Sequence, residues 1–114
     1  MSNNVIVIQD SDFETEVLEA EQPVLAYFWA TWCGPCRLVA PSVEAVAQTY
    51  GDRVKVVKLE VDANPNAVKT CKVEGVPALR FFNNQQMIES HEGAMTKQNL
   101  IDFVQRGLEK SENS

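Results

Sequence analysis

Short apolar runs alternate with amphipathic stretches along the first two thirds of this chain. The apolar runs lie at residues 5–8, 24–29 and 54–61, and apolar residues in the stretches between them recur at helical spacing. This alternation predicts parallel strands joined by crossover helices. Residues 78–82 and 87–92 are predicted as two further strands, and the Asn83-Asn84 pair between them predicts a closing antiparallel hairpin.

Capping residues mark the expected ends of the first two helices. Ser11 and Glu14 have the spacing of a capping box, so a helix is predicted after the first strand. The second helix is expected to open at a pair of cysteines and to run toward Tyr50, with Gly51 as its stop. Pro41 lies inside this helix and predicts a kink there.

The last two helices are predicted from similar signals. Asn64 before Pro65 favours a short helix that reaches about residue 71. Thr96 is expected to cap a final helix whose inner face reaches Leu108, and residues 110–114 are expected to fray. The predicted fold class is therefore α/β, with a central five-stranded mixed sheet and helices on both faces, in one domain that spans residues 1–114.

Composition narrows the class of protein. The 114 residues are 45% hydrophobic, which is enough for a core without disulfide staples. Three cysteines are an odd number, which favours a reducing compartment. The net charge of −6, with no cluster of basic residues, argues against binding to nucleic acid. No signal-like or membrane-spanning apolar run is present. We therefore expect a cytoplasmic protein that binds neither nucleic acid nor membrane.

The candidate chemistry lies in Cys33 and Cys36, which directly follow the buried run at residues 24–29. Three positions are close to one helical turn, so the two thiols can close into a small disulfide ring. A cysteine pair between a strand and a helix is typical of redox proteins. A zinc site with Cys71 and His91 is disfavoured by the irregular spacing, and we expect no metal. A merely structural disulfide would close too small a loop to stabilise much.

Several motifs together resemble the thioredoxin family over nearly the whole chain, from about residue 5 to residue 108. They are Phe28-Trp29-Ala30 before Trp32-Cys33-Gly34-Pro35-Cys36, then Pro41, Lys58, Asp62, Gly75-Val76-Pro77 and Gly93. The resemblance implies a thioredoxin-like fold in which the bond before Pro77 is cis and this residue faces the disulfide. It implies a general protein-disulfide reductase with no cofactor beyond its redox-active disulfide.

The resemblance also implies partners. We expect a monomer that is regenerated by a thioredoxin reductase, either NADPH-dependent or ferredoxin-dependent. Its targets would be disulfide-containing proteins such as peroxiredoxins and reductases. Substrates would contact a flat surface around the cysteines, formed by Trp32, Gly34, Pro35, Gly75, Val76, Pro77, Gly93 and Ala94.

The two cysteines are expected to have different roles. Cys33 would be the nucleophile, since unpaired N–H groups and the helix dipole at a helix N-terminus favour a thiolate. Cys36, one turn into the helix, would be the more buried, resolving thiol. Gly34 and Pro35 carry no charge that would stabilise the thiolate further, so we predict a reductant rather than an oxidant.

The chain departs from the family pattern at Tyr27, where many thioredoxins have a buried Asp beneath the second cysteine. A Tyr cannot act as a carboxylate base at neutral pH. Two interpretations stay open. Tyr27 fills core volume while water or the leaving thiol serves as the base, or its hydroxyl or Lys58 relays the proton. Glu92 lies where relatives often have an apolar residue, and we hypothesise that it favours basic substrate segments.

Two other functions are alternatives to the reductase. A binding or clamp subunit could use the same fold without needing both thiols. A glutathione-dependent relative is disfavoured by Trp32, Gly34 and Pro35. Cys71 is expected to be a half-buried packing residue, and no role is assigned to His91.

Overall fold

The chain folds around one mixed sheet, seen in a computed structural model that describes residues 4–112. Five strands have the spatial order β1-β3-β2-β4-β5. They are β1 (Val5–Val7), β2 (Val24–Trp29), β3 (Lys55–Glu60), β4 (Ala78–Asn83) and β5 (Gln86–Glu92). The first three are parallel, β4 is antiparallel to β2, and β5 is antiparallel to β4. The predicted five-stranded mixed sheet is confirmed.

Three helices pack against this sheet. They are α1 (Gly34–Tyr50), α2 (Pro65–Thr70) and α3 (Lys97–Glu112). Among the described residues, no helix is both long and apolar enough to cross a membrane.

Each face of the sheet has its own core because side chains alternate along a strand. On β2, Leu25 and Tyr27 join the cluster beneath α1 and α3. Ala26 and Phe28 point the other way, into a cluster with α2 and the N-terminal turns. A strand buried on both faces reads as an unbroken apolar run, which is why residues 24–29 were identifiable from the sequence.

The helix predicted after Ser11 is replaced by two irregular turns. A 3₁₀ turn spans Asp10–Asp12 and a π-helical turn spans Glu14–Leu18. The capping contact is shifted by two residues, since the Gln9 N–H donates to the Asp12 carboxylate over 3.0 Å. The apolar positions are nevertheless used as expected, because Phe13 and Val17 are buried.

Two other helix ends differ from the prediction. Gly51 ends α1 in a right-handed conformation (φ −58°), so a left-handed glycine stop is not what ends this helix. Helix α1 runs unbroken through Pro41, and the kink expected there stays a prediction. Asn64 precedes α2, but its side chain does not cap that helix. The Asp10 carboxylate accepts the N–H groups of Asn66 and Ala67 instead, at 2.9 and 2.8 Å.

The C-terminal half shows two more corrections. The hairpin turn is centred on Asn84 and Gln85, both with positive φ (53° and 68°), rather than on Asn83 and Asn84. The stretch expected to fray from about residue 110 is helical through Glu112, and residues 113–114 lie outside the described residues. Lys110 supports this last turn through an ion pair with Glu89 at 2.5 Å.

Candidate redox site

The two cysteines meet where β2 gives way to α1. Cys33 is the N-cap residue of α1, and its sulfur forms a disulfide with Cys36. The Cys33 Sγ also accepts a hydrogen bond from the Cys36 N–H over 3.2 Å. Pro35 fits beside it because a helix leaves its first N–H groups unpaired, so a residue without one costs nothing there. The Cys33 sulfur thus lies at the positive end of the helix dipole.

Burial differs only slightly between the two cysteines in the disulfide form. Cys33 is 4% exposed and Cys36 is 2% exposed. Cys33 is the more exposed of the two, as expected, but solvent reaches little of it in this oxidised state. Neighbouring residues make the local surface, since Trp32 is 67% exposed and Gly34 and Pro35 are exposed.

A second loop packs on the cysteines. The Val76–Pro77 peptide bond is cis, as expected, and Val76 packs against the cluster of Ala30, Cys33 and Cys36. The Pro77 carbonyl accepts the Gly93 N–H over 2.8 Å, which places β5 beside this loop. Gly93 has φ +106°, a conformation that residues with a side chain rarely adopt. The direct approach of Pro77 to the disulfide stays a prediction.

A groove of about 250 Å³ runs beside the disulfide. It is lined by Trp32, Val61, Asp62, Val68, Val73, Glu74, Gly75 and Val76. The indole N–H of Trp32 donates to the Asp62 carboxylate over 2.9 Å, which fixes the ring at the edge of the groove. Of the predicted substrate surface, the groove therefore unites Trp32, Gly75 and Val76.

The other predicted surface residues are not among those that line this groove, and they differ in burial. Gly34 and Pro35 are exposed at the start of α1, Pro77 is buried, and Gly93 is half-buried. Ala94 is exposed one residue further along, and its place in the substrate surface stays a prediction.

Tyr27, Lys58 and Cys36 line a separate pocket of about 320 Å³. The Tyr27 hydroxyl donates to the Cys36 carbonyl oxygen over 2.9 Å. Burial raises the pKa of Tyr27 from 10.0 to about 12. Lys58 is paired with Tyr27 across the sheet, and its ammonium lies 5.7 Å from the centre of the Trp29 ring. This arrangement suits a cation–π contact.

Arg80, which was not among the predicted site residues, is only 3% exposed. It forms an ion pair with Glu92 at 2.7 Å. The Glu74 N–H, and then Arg80, hold the pKa of the Glu92 carboxyl below its ordinary value. A charged residue at an inward position of the apolar run 78–82 was the available signal. Glu92 is thus paired with Arg80, and its preference for basic substrate segments stays a prediction.

The remaining cysteine is removed from the site. Cys71 is fully buried in the core cluster on the α2 face, which makes it more buried than expected. Burial raises the pKa of its thiol from 9.0 to about 12, partly offset by Arg80. Across residues 4–112, no group of three His, Cys, Asp or Glu side chains is placed to hold a metal ion.

A disulfide across the first turn of a helix, beside a cis-proline loop and an open groove, defines a thiol–disulfide oxidoreductase. The thioredoxin family model matches residues 4–106, so the chain belongs to the thioredoxin family. The chain is 53% identical over 106 residues to a thioredoxin-like protein of Synechocystis sp., covering 93% of this chain and 97% of that protein.

Other relatives are similar over almost their full length. The thioredoxin of Acidithiobacillus ferridurans is 39% identical over 108 residues, 95% of this chain and 100% of its own. Thioredoxin 1 of Synechococcus elongatus is 43% identical over 101 residues, 89% of this chain and 94% of its own. The resemblance noted from the motifs is confirmed.

Proposed function

We propose that this protein is a general protein-disulfide reductase, with Cys33 as nucleophile and Cys36 as resolving thiol. The observation that carries the proposal is the position of the Cys33 sulfur, which caps α1 and accepts the Cys36 N–H over 3.2 Å. After reduction, the same N–H group and helix dipole would stabilise a thiolate at this atom. The helix geometry therefore favours ionisation of Cys33 over that of Cys36.

The cycle has two exchange steps. The Cys33 thiolate attacks a substrate disulfide, so that a mixed disulfide forms and one substrate thiolate leaves. The Cys36 thiolate then attacks the Cys33 sulfur and displaces the second substrate thiolate. The protein loses two electrons and two protons, which the substrate gains, and ends with the Cys33–Cys36 disulfide.

Substrate would lie in the groove beside Trp32, with its extended main chain next to Val76. Pro77 has no N–H, so the strand edge cannot continue past it and leaves the Val76 backbone for a peptide. A thioredoxin reductase, NADPH-dependent or ferredoxin-dependent, would return the two electrons. Disulfide-containing proteins such as peroxiredoxins would be the targets, and the protein would work as a monomer in the cytoplasm.

Reduction of insulin disulfides tests this function. The wild type and a Cys71→Ala control should turn over, because Cys71 lies outside the site. Cys33→Ser should be inactive. Cys36→Ser should form a stable mixed disulfide and stop after one attack. Multiple turnovers by Cys36→Ser would contradict the dithiol cycle, and a wild type unable to reduce insulin would favour the clamp alternative.

Redox equilibration with glutathione tests the direction of the reaction. Gly34 and Pro35 place no charge beside Cys33, so the disulfide should be the favoured state and the protein a reductant. Dithiol that persists at equilibrium with a mostly oxidised glutathione pool would contradict this expectation.

A further inference from the structure

Arg80 is a buried cation on β4, between β2 and β5, and its guanidinium donates mainly to main-chain carbonyl oxygens. Nε donates to the Cys71 carbonyl over 2.9 Å and Nη2 donates to the Lys72 carbonyl over 3.1 Å. Nη1 donates to the carbonyls of Leu79 and His91, at 3.1 and 3.2 Å. The guanidinium therefore joins the end of α2 to β4 and β5.

Glu92 completes this arrangement on the side of the substrate groove. Its Oε2 lies 2.7 Å from Arg80 Nη2 and accepts the Glu74 N–H over 3.0 Å. A Cβ on Gly75 would lie 3.6 Å from the Glu92 Oε1, so the carboxylate lies directly against this peptide segment. One carboxylate thus holds both the buried guanidinium and the loop before Val76.

The segment held by the pair leads directly into the candidate substrate surface. Residues 71–77 connect α2 to β4 without regular structure and end at the Val76–Pro77 bond. Main-chain bonds hold the start of this segment, where the N–H of Lys72 and that of Val73 donate back into α2. Beyond Val73, the Glu74 N–H is held by the Glu92 side chain.

We propose that Arg80 and Glu92 are positioning residues that hold residues 74–77 in place for a protein substrate. The proposal rests on the reductase function proposed above and adds the determinant of polypeptide recognition. In the proposed function a polypeptide pairs with the Val76 backbone, so its binding depends on the placement of this loop. A small disulfide reacts at Cys33 without that pairing and does not depend on the pair.

The pair can be removed without leaving a charge buried. Breaking a buried ion pair by removing one partner is strongly destabilising, whereas replacing both partners by apolar residues is often neutral. The double variant Arg80→Leu/Glu92→Val therefore leaves no unpaired charge, and the comparison of two substrates, rather than stability, reports the positioning role. It removes the Glu74 anchor and the bonds to the carbonyls of Cys71, Lys72, Leu79 and His91, while leaving an apolar core position filled.

The test compares two substrates for the double variant: insulin and the small aromatic disulfide 5,5′-dithiobis(2-nitrobenzoate). The kcat/KM for insulin should fall about tenfold, through KM, as expected for the loss of one or two hydrogen bonds that order a binding loop. The rate with the small disulfide, measured well below the melting temperature, should stay close to that of the wild type. The melting temperature itself should fall, because the carbonyl oxygens that Arg80 binds lose their donor. Exchange of the Glu74 amide proton should become faster.

A double variant at the Lys55–Glu16 ion pair is the matched control. Lys55 Nζ lies 2.6 Å from Glu16 Oε1. Lys55 is opposite Val24, at the end of β2 remote from the cysteines. Removing this ion pair should change neither the KM for insulin nor the rate with the small disulfide.

Three results would count against the pair. An unchanged KM for insulin would overturn the positioning role, as would a parallel loss with both substrates, because that indicates general disruption. A wild type that reduces neither substrate would contradict the proposed function, and with it this inference.

Discussion

The hydroxyl of Tyr27 donates a hydrogen bond to the backbone carbonyl oxygen of Cys36 over 2.9 Å. This bond joins β2 to the first turn of α1, which carries the second thiol. Burial raises the pKa of Tyr27 to about 12, so the phenol keeps its proton at neutral pH. A protonated phenol whose hydroxyl donates to a carbonyl is not a base. Of the two open interpretations, the structural role of Tyr27 is therefore the one that this contact supports.

Tyr27→Phe should leave the chemistry unchanged and lower stability. Losing one buried hydrogen bond should reduce the free energy of unfolding by about 1 kcal/mol. The pH–rate profile of disulfide reduction should keep its shape between pH 6 and pH 9, because the hydroxyl does not titrate there. Chemical denaturation and single-turnover kinetics measure the two effects.

Tyr50→Phe is the control for this change. Its hydroxyl accepts a hydrogen bond from exposed Gln105 over 3.2 Å, so its loss should change the free energy of unfolding by about 0.5 kcal/mol or less. A displaced pH–rate profile in Tyr27→Phe alone would show that the hydroxyl takes part in proton transfer.

Stability should fall in alkali because two buried groups resist ionisation. Burial raises the pKa of Cys71 from 9.0, and that of Tyr27 from 10.0, to about 12 in each case. Between these values the folded state holds protons that the unfolded chain releases. Stability from these groups is therefore complete below pH 9 and is lost as the pH rises toward 12. Each group adds a slope of about 1.4 kcal/mol per pH unit within its window.

Denaturation at several pH values measures this slope. Cys71→Ala should flatten the decline that begins near pH 9, and Tyr27→Phe should flatten the part above pH 10. Parallel curves for the wild type and both variants would refute the assignment.

The Asp10 carboxylate should contribute to the stability of α2 from far away in the chain. It accepts the N–H groups of Asn66 and Ala67, 56 and 57 residues further on. Asp10→Ala leaves these donors unpaired and should cost about 1–2 kcal/mol in the free energy of unfolding. Turnover with insulin should not change. Asp52→Ala, in the exposed turn after α1, is the control, and an equal cost in both variants would exclude capping by Asp10.

How much the sequence predicts depends on how local each feature is. The redox site is formed by a strand, a cysteine pair and a helix that are contiguous from residue 24 to residue 50. The local sequence pattern therefore predicts them without knowledge of tertiary contacts. The cap of α2 cannot be predicted in this way, because Asn64 has the residue type of a cap while the distant Asp10 makes the contact. The Arg80–Glu92 pair likewise forms only when β4 and β5 align, and no local spacing in the sequence predicts it.

Irregular local geometry explains the other misses. The turn at residues 84–85 uses two non-glycine residues with positive φ, which propensity alone does not favour. The pairing of β4 with β5 then shifts by one residue between Phe81 and Phe82. Such a bulge inserts a residue into one strand, and a strict two-residue alternation cannot reveal it.

Gly107 is required by the close packing of α3 on the sheet. A Cβ at this position would lie 2.5 Å from Cδ1 and 2.6 Å from Cγ of the Phe81 ring, which is fully buried. Helix propensity alone favours Gly107→Ala by about 1 kcal/mol. Overpacking a core costs about 1–3 kcal/mol, and a buried ring cannot move aside cheaply. We therefore expect Gly107→Ala to lower the free energy of unfolding despite its better helix propensity.

A double-mutant cycle identifies the ring as the cause. In a Phe81→Leu background the smaller side chain leaves room for the new methyl group, so Gly107→Ala should cost less there than in the wild type. The difference is the coupling energy between the two positions, and residues in contact typically show about 0.5–3 kcal/mol. Urea denaturation of the four proteins gives this energy. An equal cost in both backgrounds would mean that backbone crowding, rather than the Phe81 ring, sets the requirement for glycine.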